Sequence, residues 1–356
     1  MKRILGVAAC AAVLSLACAR AVALDGPDLY PGEGALYDAA TKDGLVVSSN
    51  TGAGWANWGA LAAAFAKRYP AVTLAYNDVG SGAAVIALDR ARAKPAVDTL
   101  YAFGIASVDA ASRGLLAGYK PVNFDRLPAV ARDPDARWFA VHVMPVLFIV
   151  NKKLVKVVPR SWADLAKPDY KGAIVYSDPR TTGVGEVTVF AANAAAGGNL
   201  ETVRPGIDYL AELHKIGNVL RVDANPYTEF LKGKVPVWLG FESDGLRAKL
   251  VDGMGDDVEL VAPAEGTVAA PYTIGLVKGA RDDSAAKLWL NFALSDQGQR
   301  LFAEGFVRPA VTDLTLPPEL AARLPKLAKL EVLDVARALL RKADIDSGWA
   351  LAVLGN

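Results

Sequence analysis

Short apolar runs rich in β-branched residues alternate along the chain with segments in which apolar residues recur every three or four positions. In the first half, predicted strands and helices alternate at 44–49, 58–68, 72–76, 83–93, 97–101 and 107–114. Such alternation is typical of an α/β unit with a mainly parallel sheet. A long apolar run at 142–150 then follows, and it is long enough to pass between two lobes.

A second α/β unit follows this run. Ser161 and Asp164 have the spacing of a helix capping box. Further strands are predicted at 173–176, 235–239 and 273–277. Further helices are predicted to end at Ala196 and to lie at 225–233 and 284–294. Because Pro236 cannot donate a ladder hydrogen bond, residues 235–239 are predicted to form an edge or terminal strand.

The N-terminus has the pattern of an export signal. Lys2 and Arg3 precede an uncharged apolar run, and Ala21-Val22-Ala23 offers a small-x-small cleavage site. We therefore predict a signal peptide at 1–23 and an exported chain that begins near Leu24. The alternative is a lipoprotein anchored at Cys18, which is less favoured because Ser15 replaces the leucine usual in a lipid-attachment box.

Composition restricts the class of protein further. Hydrophobic residues make up 53 % and charged residues 22 %, values typical of a globular chain rather than a disordered one. The formal charge of +1 provides no net field for a nucleic acid, so none is expected as a partner. Both cysteines, Cys10 and Cys18, lie in the predicted signal, so the exported chain is expected to contain no disulfide.

Sequence motifs of enzymes are mostly missing from this chain. The two histidines, His142 and His214, are not part of a zinc motif, and no serine is flanked as in a nucleophile elbow. Gly183-Val184-Gly185 lacks the third glycine of a dinucleotide fingerprint, since Thr188 stands there. We expect no catalytic residues, a packing role for His142 and a solvated position for His214.

Three turns rich in glycine and hydroxyl residues follow predicted strands, at 50–55, 80–83 and 177–185. In α/β sheets, ligands bind beyond the carboxyl ends of strands, where the free N–H groups of helix starts favour anions. Two of these turns belong to the first unit and one to the second. The sequence therefore predicts a ligand cleft between the units.

Four segments, read together with the export signal, carry a family resemblance. They are 161–165 (SWADL), 171–174 (KGAI), 178–183 (DPRTTG) and 275–280 (GLVKGA). In this order they resemble the type 2 periplasmic solute-binding proteins of ABC importers. The resemblance is to the branch that holds ferric-iron, hexose-phosphate, aminoethylphosphonate and polyamine binders.

The resemblance implies an α/β fold of two Rossmann-like lobes joined by a two-strand hinge. The implied segments are 24–145 for the first lobe, 146–272 for the second lobe and 273–356 for the return to the first. It also implies a periplasmic monomer without a cofactor, which delivers a small-molecule solute to an ABC permease and ATPase on separate chains.

The candidate ligand-binding residues divide by chemistry. Arg180, Thr181, Thr182 and Gly183 offer a guanidinium, hydroxyls and N–H groups to a phosphonate, phosphate ester or carboxylate. Glu242 and Asp244 could pair with an ammonium group, and Trp55, Trp58 or Tyr101 could form a wall of the cleft. The remaining candidates are the polar turn residues Asn50, Thr51 and Ser81.

Alternatives remain for the ligand and for the class. A polyamine, a thiamine-like cation or ferric iron could occupy the same fold. Ferric-iron members of the family carry adjacent tyrosines, whereas the corresponding region here, 238–244, reads WLGFESD. We therefore expect no metal site. In another class, the chain could be an exported hydrolase or the ligand-binding subunit of a sensor.

Overall fold

The computed structural model describes residue 24, residues 26–222 and residues 224–355, so the predicted signal peptide at 1–23 lies outside the described residues. The strands are β1 (Leu45–Ser49), β2 (Thr73–Tyr76), β3 (Thr99–Phe103), β4 (Leu116–Ala117), β5 (Phe139–Asn151), β6 (Ile174–Tyr176), β7 (Val237–Phe241), β8 (Val258–Val261), β9 (Thr267–Val277), β10 (Arg308–Pro309) and β11 (Leu330–Val332).

The helices surround these strands. They are α1 (Glu33–Asp43), α2 (Trp58–Arg68), α3 (Ser81–Arg90), α4 (Gly104–Ser112), α5 (Trp162–Leu165), α6 (Gly183–Ala195), α7 (Arg204–Lys215), α8 (Pro226–Leu231), α9 (Glu242–Leu250), α10 (Asp283–Leu294), α11 (Asp296–Glu304), α12 (Pro318–Ala321), α13 (Val335–Leu339) and α14 (Lys342–Trp349). Within the described residues, none of the helices is both long enough and apolar enough to cross a membrane.

Seven of the described strands follow one path in the order β2-β1-β3-β9-β5-β7-β6, and the others pair beside it, β4 and β11 with β9 and β8 and β10 with β5. At one end β1 pairs in parallel with β2 and β3, and at the other β6 pairs in parallel with β7. We call the unit around β1–β3 the first lobe and the unit around β6–β8 the second lobe. This architecture confirms the predicted α/β class with two lobes joined by two strands.

The connecting strands β5 and β9 run antiparallel to each other. β5 pairs with β9 as far as Pro145 and with β7 from Val146 onward, so it leaves one lobe and enters the other there. Pro145 lies opposite Ala269, and Pro271 lies opposite Val143. Because proline has no N–H group, each connecting strand lacks one ladder donor close to the crossing.

Aromatic side chains of α2 and α10 form the centre of the first lobe. Trp58, Phe65, Trp289 and Phe292 are fully buried, and the rings of Phe65 and Trp289 meet edge to face with centroids 5.1 Å apart. Full burial of one such side chain contributes about 1.5–3 kcal/mol. This packing fixes α2 and thereby the turn before it, which carries Trp55.

The C-terminal helices contact both lobes. α13 packs on α4 of the first lobe, whereas α14 packs on α7 of the second. The C-terminal part of segment 273–356 therefore adds a third connection between the lobes. The segment limits 24–145, 146–272 and 273–356 stay a prediction.

Three expectations about local structure were wrong. β7 is not an edge strand, because β5 and β6 flank it; Pro236 precedes β7, so the ladder does not need its missing N–H. α3 and α4 begin earlier than predicted, at Ser81 directly after Gly80 with its positive φ and at Gly104 directly after the last residue of β3. His214 is half-buried rather than solvated, and its Nε2 lies 2.8 Å from the Tyr176 hydroxyl.

Candidate functional site

An open cavity of about 670 Å³ lies between the lobes, beyond the carboxyl ends of β1, β2, β3 and β6. Eight candidate residues line it: Asn50, Trp55, Ser81, Tyr101, Arg180, Thr181, Thr182 and Gly183. The structure thus brings together the three turns that the sequence singled out. That these residues bind a solute stays a prediction.

Asn50 shapes the turn that leads into α3. Its backbone is left-handed, with φ of 68°, a conformation that asparagine tolerates better than most residues. The side-chain Oδ1 accepts hydrogen bonds from the backbone N–H groups of Val79 (3.2 Å) and Gly80 (2.8 Å), and Nδ2 donates to the Tyr101 carbonyl (3.3 Å). The amide is therefore occupied by the protein, which gives Asn50 a positioning role.

The first turn of α3 lies at the cavity without a side-chain cap. Gly80 enters it with φ of +82°, and a Cβ on Gly82 would meet no atom within 4 Å. The Ser81 hydroxyl accepts from the Phe103 N–H (2.9 Å) and so fastens the helix start to the end of β3. The N–H groups of this first turn have no intrahelical acceptor and can bind an anion.

A chain of aromatic hydrogen bonds forms one wall. Trp55 Nε1 donates to the Tyr101 hydroxyl (2.9 Å), and that hydroxyl lies 2.7 Å from His142 Nε2. Burial lowers the pKa of His142 to about 3, so the ring is neutral, and its tautomer decides whether Nε2 accepts from or donates to the Tyr101 hydroxyl. Burial also raises the pKa of Tyr101 and of the neighbouring Tyr272, which disfavours phenolate forms of these rings.

The start of α6 faces the cavity from the second lobe. The Thr182 hydroxyl caps the helix by accepting from the Gly185 N–H (3.2 Å), and it donates to the Asp178 carbonyl (2.8 Å). A Cβ on Gly185 would lie 2.3 Å from the Ser177 carbonyl oxygen, so only glycine permits this close turn. The loop therefore holds Thr181, Thr182 and Gly183 at the cavity.

Arg180 is already ion-paired. Its Nη2 lies 2.6 Å from Asp178 Oδ2, which lowers the pKa of that carboxyl, and the guanidinium carbon lies 5.1 Å from the Trp349 ring centroid. The other basic residues of the lining also have acidic neighbours: Arg113 pairs with Asp109, and Lys342 with Asp346. The positive charges of the cavity are thus largely compensated by the protein.

The structure places three candidate residues elsewhere. Glu242 is buried and bound through both oxygens by Arg308, at 2.6 and 2.8 Å. Asp244 lines a separate cavity of about 470 Å³, which shares only the Trp55 wall with the first. Thr51 is buried and lines neither of these two cavities. These three side chains therefore do not line the cavity that the other eight candidates share.

Sequence reasoning missed Glu186 and Lys342, which also line the cavity. Glu186 lies in the first turn of α6, is only 4 % exposed, and its Oε1 has no hydrogen-bond partner among the described residues. Burial raises the pKa of this carboxyl to about 8. The available signal was an acid directly after Gly183-Val184-Gly185, a segment considered only for its glycine spacing.

Two α/β lobes joined by paired strands, with a polar cleft between them, define a two-lobe binding protein. A family model described as bacterial extracellular solute-binding protein matches residues 102–339. The chain belongs to this family of solute-binding proteins.

Relatives in sequence support the predicted branch. An uncharacterised Haemophilus influenzae protein is 28 % identical over 279 residues, which cover 75 % of this chain and 78 % of that protein. A Salmonella typhimurium protein, provisionally named a 2-aminoethylphosphonate-binding periplasmic protein, is 29 % identical over 254 residues, 68 % of this chain and 71 % of that one.

Solved structures of similar fold agree with this assignment. The periplasmic binding protein AfuA from Actinobacillus pleuropneumoniae, with fructose-6-phosphate bound, aligns with a TM-score of 0.71 at 24 % identity over 87 % of this chain and 98 % of that one. The ferric binding protein from Campylobacter jejuni aligns with a TM-score of 0.71 at 16 % identity, over 86 % and 99 %. These likenesses confirm the resemblance to type 2 periplasmic binding proteins.

Proposed function

We propose that this protein captures a small solute with an anionic group in the periplasm and delivers it to an ABC importer. The family and the periplasmic relatives support the location and the transport role. The name of the Salmonella relative and the ligand in AfuA both refer to phosphorus oxyanions. The permease and ATPase would be separate chains, and the binding protein would be a monomer.

One observation carries the anionic ligand: the first turns of α3 and α6, from different lobes, lie at the same cavity. Each helix start carries a partial positive charge of about half a unit, and its free N–H groups favour an anion. The start of α3 is the better anion site, because α3 has no side-chain cap and its N–H groups can donate to a ligand. In α6, the Thr182 hydroxyl already accepts from one N–H group. We place the anionic group at the N–H groups of Ser81 and Gly82, because the Gly80 N–H already donates to Asn50 Oδ1.

Arg180 and Thr181 would complete the anion site from the second lobe. The guanidinium side chain is about one-third exposed beside Asp178, so part of its surface remains accessible for a second hydrogen bond. Rotation about β5 and β9 would bring this side of the cleft against a solute held at α3, which is the hinge closure common in binding proteins.

We propose no catalysis for this cleft. Nε2 of both histidines contacts a tyrosine hydroxyl, Tyr101 for His142 and Tyr176 for His214. A hydrolase of the serine type would instead need a base in contact with its nucleophile. These contacts support a binding protein over the exported-hydrolase alternative.

A glycine-to-aspartate pair tests the anion site. Gly82 and Gly34 each stand at the second position of a helix, α3 and α1, and each has open space where a Cβ would lie. An aspartate at Gly82 favours the helix start by about 0.3–1 kcal/mol but repels a bound anion. We expect Gly82→Asp to weaken phosphonate or phosphate-ester binding by more than about tenfold in calorimetry, with no loss of melting temperature.

Gly34→Asp is the matched control, and we expect it to bind as the parent does. The parent should show a melting shift of about 5–10 °C with its preferred anion at 100 times Kd. If Gly82→Asp bound the anion as tightly as the parent, the anion site at α3 would be wrong. A parent that binds only cations would overturn the anionic solute itself.

A further inference from the structure

Glu186 is a buried acid that forms no ion pair within the described residues. Its carboxylate lies at the cavity, and the described residues offer no hydrogen-bond partner to Oε1. Leaving a buried polar group without a partner costs about 1–3 kcal/mol, and more when the group is charged. The Glu186 carboxyl lies at the wall of the cleft, so a polar group of the bound solute can supply the missing hydrogen-bond partner.

The groups around Glu186 come from three elements. Lys342 and Asp346 of α14 and Tyr272 of β9 interact with it electrostatically, while the Asp178–Arg180 pair precedes it in the α6 loop. Lys342 is a cation that interacts with Glu186 electrostatically, but its ammonium is bonded to Asp346. Tyr272 is the neighbouring phenol of the aromatic wall. None of these groups neutralises the carboxylate by direct pairing.

Positive charge elsewhere in the lining is compensated, as the pairs of Arg113, Arg180 and Lys342 show. The cavity therefore presents an uncapped helix start on the first lobe and an unpartnered acid on the second. A cavity of about 670 Å³ is within the range of small-molecule sites. The helix start complements an anionic group and Glu186 an ammonium group, while Asp78 adds a second acid to the lining on the first-lobe side.

We propose that Glu186 binds an ammonium group of the solute, so that the solute is a zwitterion whose anionic group lies at the start of α3. This inference rests on the proposed function, because it assumes the anion site there. It assigns the amine to Glu186 rather than to Glu242 or Asp244, which the structure places outside this cavity.

A second chemistry is possible for the same carboxyl. A protonated Glu186 could donate a hydrogen bond to an oxygen of the anionic group instead of accepting from an amine. The two arrangements differ in which ligands they favour. An amine contact matters only for amine-bearing ligands, whereas a contact with the oxyanion matters equally for ligands with and without the amine.

The test compares 2-aminoethylphosphonate with ethylphosphonate, which lacks the amine, on the parent and on Glu186→Gln. A charge-assisted hydrogen bond contributes about 1.5–3 kcal/mol, so we expect Glu186→Gln to weaken 2-aminoethylphosphonate binding by about 10- to 150-fold. Ethylphosphonate binding should change by less than about threefold. Glu212→Gln, on the exposed side of α7, is the matched control and should change neither affinity.

A proton readout gives independent evidence. Because burial keeps Glu186 largely protonated at pH 7, an arriving ammonium must drive it to ionise. Calorimetry in two buffers of different ionisation enthalpy should show release of about one proton with 2-aminoethylphosphonate. The release should vanish in Glu186→Gln and should be absent with ethylphosphonate.

The outcomes separate the two proposals. Equal losses for both phosphonates in Glu186→Gln would overturn the amine contact and indicate a contact with the oxyanion. Unchanged binding of both would overturn any ligand contact of Glu186, while the anion site at α3 would stand. If the parent bound the diamine putrescine but neither phosphonate, the anionic solute would be wrong. Binding of none of the three would overturn the amine contact, and the anionic solute would be overturned as well if fructose-6-phosphate also failed to bind.

Discussion

Glu186 and Glu242 both lie near the start of a helix in the second lobe, but they have opposite surroundings. Each stands in the first turn of a helix that follows a strand, α6 after β6 and α9 after β7, and these strands are neighbours. Both side chains are nearly inaccessible, at 4 % and 1 % exposure. Arg308 binds both oxygens of Glu242, whereas Glu186 Oε1 has no partner among the described residues.

The difference separates a structural acid from a candidate ligand-binding acid. Arg308 belongs to β10, which pairs with β5 at His142 and Val143, so the Glu242 ion pair ties the second lobe to the connecting strands. Glu186 instead faces the cleft. The role of a glutamate in the first turn of a helix therefore depends on which residues the rest of the chain places beside it.

The comparison is tested most strongly by Arg308→Met. This change leaves Glu242 buried without its partner, and breaking a buried pair from one side costs about 3–5 kcal/mol. We expect a comparable loss in the free energy of unfolding, measured by urea denaturation at neutral pH. Arg337→Met, which removes the exposed pair with Glu201, should cost less than about 1 kcal/mol. Equal effects of both changes would show that Glu242 is not structural.

Glu186→Gln should change the free energy of unfolding in the opposite direction, by stabilising the protein. The native pKa of about 8 lies above the ordinary 4.5, so the native state retains a proton that the unfolded chain releases. The parent therefore loses stability as pH rises from about 4.5 to 8, by up to about 1.4 kcal/mol per pH unit. Glutamine has no proton to lose.

We accordingly expect Glu186→Gln to be more stable than the parent at pH 8, by up to about 4 kcal/mol, and within about 1 kcal/mol of it at pH 5. Urea denaturation at several pH values measures this difference, with Glu212→Gln as the control. If the difference in stability between Glu186→Gln and the parent stayed constant with pH, Glu186 would have an ordinary pKa. It would then ionise as a solvated acid does.

The smallest effect concerns how the Glu186 helix begins. Thr182→Ala removes the hydroxyl that caps α6, and such a loss costs about 1 kcal/mol without dependence on pH. Thr181→Ala alters the neighbouring hydroxyl, whose contact with the Asp178 carbonyl is long at 3.5 Å, and should cost less than about 0.5 kcal/mol. Thermal unfolding of the two variants measures the difference. If Thr182→Ala were as stable as Thr181→Ala, the cap would not define the start of α6.

Much of the fold could be predicted from local pattern. The strand and helix alternation, the capping box at Ser161 and the apolar run of β5 all follow from residues close in sequence. The position of β7 could not be predicted in this way, because it depends on pairing with β5 and β6 far along the chain. Pro236 was a misleading signal, since it lies just outside the ladder.

The candidate site shows the same division. The turns around Asn50, Ser81 and Thr182 could be predicted, because glycine and hydroxyl residues after strands indicate helix starts at a sheet edge. The partners of the acids could not. Nothing near Glu242 in sequence indicates that Arg308 binds it, and nothing near Glu186 indicates that burial leaves it unpaired.

The paired prolines of the connecting strands have a mechanical consequence. Bending a two-stranded ribbon ordinarily stretches its ladder hydrogen bonds, but Pro145 and Pro271 supply no donor to stretch at the crossing. The ribbon is therefore most compliant between Val143 and Pro145, where β5 changes partners, and stiffer on either side. We expect elastic strain from rotation of the lobes to concentrate there, so that each lobe can turn as a rigid unit while its own sheet keeps its register.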